Sequence, residues 1–103
     1  MKKLFIGILI VLMASAPAIA ADICGNLSSL AATVMRGGQA GVSMKIQMDV
    51  FNQDKFSLTK GLGRALIIEA YERPRYSTKK YQQREIENFR DKVYLRCVKT
   101  YNK

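Results

Sequence analysis

"STKKYQQREIENFRDKVYLRCVKTY", Ser77 to Tyr101, is the stretch that decides the fold. Ile86, Phe89, Val93 and Cys97 recur every three or four residues, with Tyr94 and Tyr101 beside them. That interval places side chains on one face of an α-helix. The spacing predicts a helix from about Thr78 to Thr100, the longest in the chain, with Ser77 or Thr78 as its cap.

Moving back along the chain, Pro74 fixes its own backbone and biases Arg73 away from helix, so an earlier helix must end before it. Leu58, Leu62, Ala65, Leu66, Ile68 and Ala70 mark that helix. Gly61 and Gly63 fall inside it, each at a cost of up to about 1 kcal/mol relative to alanine, and point to a close approach between helices. A nucleotide-binding fingerprint would need a third glycine and a preceding strand, and Gly61-Leu62-Gly63 has neither. Asn52 to Ser57 reads as a loop. Ser43 is a plausible N-cap for a short helix carrying Met44, Met48 and Phe51, with Ile46 and Val50 beside them, ending near Asn52. Ile23, Leu27, Leu30, Ala31, Val34 and Met35 define a first helix from about Ile23 to Arg36, expected to stop at Gly37-Gly38, with Gly41 following. The expected fold is all-α, a small four-helix bundle. Met35, Met44 and Met48 are read as core, with an adaptable partner groove as the alternative.

The first twenty residues have a different character. Lys2 and Lys3 precede an apolar run from Leu4 to Met13, and small residues close the segment at Ala18-Ile19-Ala20. This order is that of a cleaved secretory signal; a retained span would need about 20 apolar residues. Asp22 and Ile23 stand before Cys24 where a lipoprotein signal would carry small residues. Residues 1–20 are thus expected to be removed, leaving residues 21–103 as a single helical domain, exported to the periplasm of a Gram-negative bacterium.

Removing 20 of 103 residues leaves 83, a length that buries only about 60–65% of its unfolded surface and leaves a thin stability margin. The two cysteines, Cys24 and Cys97, lie near the ends of that domain, on the inward faces of its first and last helices. In an oxidising compartment they read as one disulfide stapling those helices. The loop-entropy model gives a closure of this length roughly 4 kcal/mol. A redox-active pair would instead show Cys-x-x-Cys spacing.

Chemistry is sparsely supplied. The chain has no histidine, and its two cysteines alone cannot complete a zinc site. Ser28, Ser29, Ser43, Ser57 and Ser77 lack a base to activate them, and the carboxylate pairs Glu69/Glu72 and Glu87/Asp91 read as solvated helix faces. No enzyme, cofactor or metal is expected.

Charge is the remaining signal. Without Lys2 and Lys3, 15 basic residues face eight acids, a net charge of +7, which favours an anionic partner. Between Glu72 and Glu85 lie Arg73, Arg75, Lys79, Lys80 and Arg84 with no acid among them, and Tyr76 and Tyr81 add flat apolar surface. Lys79 and Lys80 oppose the positive pole of the last helix unless an anion binds there. Arg73, Arg75, Tyr76, Lys79, Lys80, Tyr81 and Arg84 are therefore the candidate site for an anion or partner; the plain alternative is a solvated basic loop partly offset by Glu72 and Glu85.

Cys24, Leu30-Ala31, Gln39-Ala40-Gly41-Val42-Ser43-Met44, Ala70-Tyr71-Glu72, Pro74-Arg75-Tyr76-Ser77, Tyr81-Gln82-Gln83, Phe89 and Tyr94-Leu95-x-Cys97 form a pattern spanning nearly the whole domain. It resembles a set of small exported hypothetical proteins of proteobacteria and their phages or prophages, with one N-terminal and one C-terminal cysteine. Gly37-Gly38 stands where those proteins would carry an alanine and an arginine. The resemblance implies export and the cysteine pair, and carries no activity. The residues favour an interaction protein whose basic patch meets an anionic membrane surface, lipopolysaccharide or an acidic protein. The alternative is a periplasmic stress or chaperone-like helical protein that exposes apolar faces as its packing loosens. Export makes nucleic acid an unsuitable target.

Overall fold

A computed structural model of the chain describes residues 23–53 and 57–101, so the leader expected at residues 1–20 and the loop residues 54–56 lie outside the described part. Within it are four helices: α1 over residues 23–39, α2 at Met44–Asn52, α3 at Ser57–Tyr71 and α4 at Lys79–Tyr101. The fold is the expected all-α four-helix bundle. Helices α1, α3 and α4 supply the fully buried core, while α2 buries none of its residues and leans on α3.

In α4 the stripe behaves as its spacing dictates. Ile86, Phe89, Val93 and Cys97 are all buried, and the Thr78 hydroxyl accepts from the Tyr81 amide at 3.4 Å at the helix start. Phe89 is completely enclosed, in the same core cluster as Val34 and Met35 of α1 and Leu66 and Ile67 of α3. Burying a phenylalanine is worth about 1.5–3 kcal/mol, so this position anchors the bundle.

Helix α1 ends later than its glycines suggest. Gly37 and Gly38 are helical, and the stop comes at Gly41, whose φ of +93° suits a residue without a Cβ. The amide of Val42 donates to the Gly37 carbonyl at 2.9 Å, and that of Gly41 to Gly38 at 3.2 Å, the paired bonds of a Schellman cap. The glycines inside the helix instead admit neighbours: a Cβ on Gly37 would sit 2.6 Å from the Gln47 side-chain nitrogen. Cys24, Ser28, Ala31, Ala32, Val34, Met35 and Gln39 form the buried face, whereas Ile23 is exposed. Leu27 and Leu30 pack at the edge of the core.

Helix α3 also turns differently from its expected register. Gly63, Leu66, Ile67 and Ala70 face inward, while Leu62, Ala65 and Ile68 are exposed; the side chain of Leu58 lies outside the described residues. The apolar run Ala65-Leu66-Ile67-Ile68 covers the whole circumference, so its pattern alone does not select a face. Gly63 selects it. A Cβ there would meet the Phe51 ring at 2.2 Å, so the aromatic side chain of α2 seats against bare backbone. Gly61 has open space around it and marks no such approach.

Helix α2 begins as expected, with the Ser43 hydroxyl accepting from the Ile46 amide at 3.2 Å. Met48 and Phe51 pack on the core, but Met44, Ile46 and Val50 are exposed, which corrects the inward placement of Met44. The Gln47 amide fixes α2 sideways, donating to the Val34 carbonyl at 3.0 Å and to the Tyr71 hydroxyl at 2.9 Å. The Tyr71 hydroxyl in turn donates to the Val42 carbonyl.

Cys24 and Cys97 form a disulfide, with Cα atoms 5.5 Å apart across 73 residues of chain. Both are buried, and the bond joins the start of α1 to the last turns of α4.

Candidate functional site

The connection from α3 to α4 carries the basic cluster, and one buried side chain shapes it. Gln39, at the C-terminal end of α1, is only 3% exposed. Its amide nitrogen donates to the Pro74 carbonyl at 2.8 Å and its amide oxygen accepts from the Tyr76 backbone at 2.9 Å. The Gln39 backbone carbonyl also accepts from Arg75 Nε at 3.3 Å. An irregular segment leaves backbone groups without helix partners, and a glutamine has both a donor and an acceptor to supply them. Gln39 therefore acts as a short template for residues 74–76.

The cations divide into two sets. Arg73 turns inward: it pairs with the buried Glu85 carboxylate, and its guanidinium lies 5.5 Å from the centroid of Phe89. This residue is structural as well as basic, because removing either charge would strand the other in a poorly hydrated place. Arg75, Lys79, Lys80 and Arg84 remain exposed, and among the described residues none has a carboxylate within ion-pair distance.

Two tyrosines are interleaved with those exposed charges. The rings of Tyr76 and Tyr81 lie 5.9 Å apart, tilted by 36°, and Arg84 sits 5.5 Å from the centre of Tyr81. Gln82 ties the Tyr76 backbone to α4, donating to the Tyr76 carbonyl at 2.7 Å. The first turn of α4 has no acidic residue, so Lys79 and Lys80 leave its exposed amide groups uncompensated. Tyr76, Tyr81 and Arg84 thus form one contiguous surface beside those lysines, while Arg73 is withdrawn from it and Arg75 bends over Gly41.

The second half of α4 is built otherwise. Arg90 pairs with Asp91 at 3.0 Å, and Arg96 and Lys92 both reach Glu69 on α3, Lys92 at 3.9 Å. The hydrogen bond from Arg96, with the charges of Arg96 and Lys92, holds the Glu69 carboxyl below the usual carboxylate range against the opposing pull of partial burial. Glu69 is consequently a cross-helix tie instead of a simply solvated group.

Sequence reasoning named Gln39 only within a pattern and Glu85 only as a partial offset of the loop, and it assigned neither a buried role. Both carried a signal: Gln39 continues the buried series Cys24, Ser28, Ala31 and Met35, and Glu85 falls four residues before Phe89 on the stripe of α4. A polar residue in an apolar register needs a partner. No family model, curated protein or solved structure matches the chain, so the site itself carries the functional argument.

Proposed function

We propose that the domain is an exported interaction module that docks on an anionic surface through Tyr76, Lys79, Lys80, Tyr81 and Arg84. The favoured surface is a layer of membrane or lipopolysaccharide headgroups. The observation that carries this reading is the contrast along α4: Arg90, Lys92 and Arg96 in its middle are paired with acids, whereas among the described residues Lys79, Lys80 and Arg84 of its first turns have no carboxylate within ion-pair distance, and Arg84 lies over one of two neighbouring exposed tyrosine rings. Maintaining like charges together without acids disfavours the folded domain slightly, and an anionic surface reverses the sign of that interaction. The disulfide is consistent with an oxidising compartment, as the leader-like segment leads one to expect. No described helix is long and apolar enough to cross a membrane, which suits docking by a face.

Cosedimentation with vesicles of phosphatidylglycerol and phosphatidylcholine tests the reading. The wild-type protein should bind at low salt and be released as the screening length shortens toward ~8 Å at physiological ionic strength. A variant combining Lys79→Gln, Lys80→Gln and Arg84→Gln should fold normally and fail to bind. Equal binding by both proteins, or none by the wild type at low salt, would sink the proposal.

The chaperone-like alternative draws on a different observation: Ile46 and Val50 are exposed on α2, the helix with no buried residue. Acid-induced binding of a hydrophobic dye while helical structure persists would favour it.

A further inference from the structure

The geometry points to a phosphate-group site in the cleft between the α1–α2 turn and the α3–α4 connection. This site stands apart from the docking face, since it uses Arg73 and Arg75 while that reading rests on Lys79, Lys80 and Arg84. The cleft is open, has a volume of about 320 Å³, and is lined by both arginines and Ser43 with no carboxylate among its lining residues. That volume is at the lower end of small-molecule pockets, roughly 300–1,000 Å³.

Each arginine is held by its Nε, and that leaves its terminal nitrogens available. Arg73 Nε donates to Glu85 and Arg75 Nε to the Gln39 carbonyl; among the described residues no acceptor engages the Nη atoms of either. The Arg75 guanidinium lies directly against the Schellman turn, where a Cβ on Gly41 would be 2.7 Å from Nη2. Ser43 accepts from the Ile46 amide and keeps its hydroxyl proton to donate. The Tyr71 hydroxyl, by contrast, both donates to Val42 and accepts from Gln47, so it is a wall of the cleft and not a ligand.

Two planar guanidinium forks and a hydroxyl offer more donors than the two oxygens of a carboxylate can use well. A phosphate supplies three terminal oxygens and a higher charge, and pairs with arginine in the bidentate manner. Glu85 offsets Arg73, leaving Arg75 as the uncompensated charge of the pair. The ligand class is therefore inorganic phosphate or a phosphomonoester, either a small soluble one or the monoester phosphate of a lipid headgroup.

The test is a phosphate titration of the oxidised, isotope-labelled protein, followed by NMR at low ionic strength. Inorganic phosphate should shift the amides of Gly41, Val42 and Ser43 and the Arg75 Nε–H saturably, with chloride ineffective at equal ionic strength. Arg75→Gln should weaken binding about tenfold or more, and Arg75→Lys, which keeps the charge and loses the fork, should also weaken it. The triple Lys79→Gln, Lys80→Gln, Arg84→Gln variant should change it less than about twofold. Vesicles of phosphatidic acid and phosphatidylcholine that compete for the same resonances identify a headgroup as the source; vesicles that leave them unmoved identify a soluble phosphate. Non-saturable shifts spread over every basic residue, wild-type affinity in both Arg75 variants, or loss of phosphate binding in the triple variant would each overturn the site, whatever the vesicle result for the docking face.

Discussion

Helices α1 and α4 are antiparallel neighbours joined twice, by unlike chemistry at opposite ends of the bundle. At one end the start of α1 is bonded covalently to the end of α4 through Cys24 and Cys97. At the other, Gln39 near the end of α1 holds the backbone that leads into α4 with hydrogen bonds to Pro74 and Tyr76. The covalent link acts chiefly by restricting the unfolded chain, so its effect is on stability and it shapes no local surface. The amide link exists only in the folded state. It is weaker, but it determines the conformation of the segment that carries Arg75 and Tyr76.

The two ends should therefore fail differently. Cys97→Ser, or reduction, removes roughly 4 kcal/mol and should lower the melting temperature by ~15–30 °C while helical circular dichroism persists at low temperature. A drop of only a few degrees would show that the bundle holds itself without the staple. Gln39→Leu should cost about 1–3 kcal/mol, because Pro74 and Tyr76 each lose a buried partner, and hydrogen exchange should quicken at Tyr76 with little change around Cys24. The double variant should show additive losses, since the two links share no partner; strong coupling would mean that the ends communicate.

The smallest effect belongs to Glu69 on α3, whose partner Arg96 is the residue next to Cys97. Its folded pKa is lowered by the Arg96 hydrogen bond, so its contribution is present above the unfolded carboxylate value near 4.5 and is lost as pH falls through the lower folded value. Glu69→Gln should cost under about 1 kcal/mol at neutral pH, as befits a pair near the surface, and should flatten the decline of melting temperature in acid. An unaltered acid limb would assign that decline to other carboxylates.

The long helix and its cysteine were legible because one stripe dominates α4: apolar side chains at four successive turns leave a single inward face. The basic cluster was legible as composition, but its division was not. That Arg73 would withdraw to Glu85 depends on where α4 sets its Glu85–Phe89 edge relative to a loop twelve residues earlier, and local sequence does not encode that distance. Helix α3 shows the opposite difficulty, since Leu66, Ile67 and Ile68 are equally apolar and only the Phe51 ring against Gly63 decides which faces inward. The end of α1 was missed because three glycines lie within five residues, and only Gly41 takes the left-handed backbone.

The disulfide also governs how the domain would respond to being pulled. Force applied outside residues 24 and 97 passes through the sulfur–sulfur bond, and the 73-residue span within it carries no load. A molecule gripped on both sides of the bridge, at its two tails, can thus extend only by the residues beyond the bridge, whereas the reduced chain could pay out roughly 250 Å as its helices unravel.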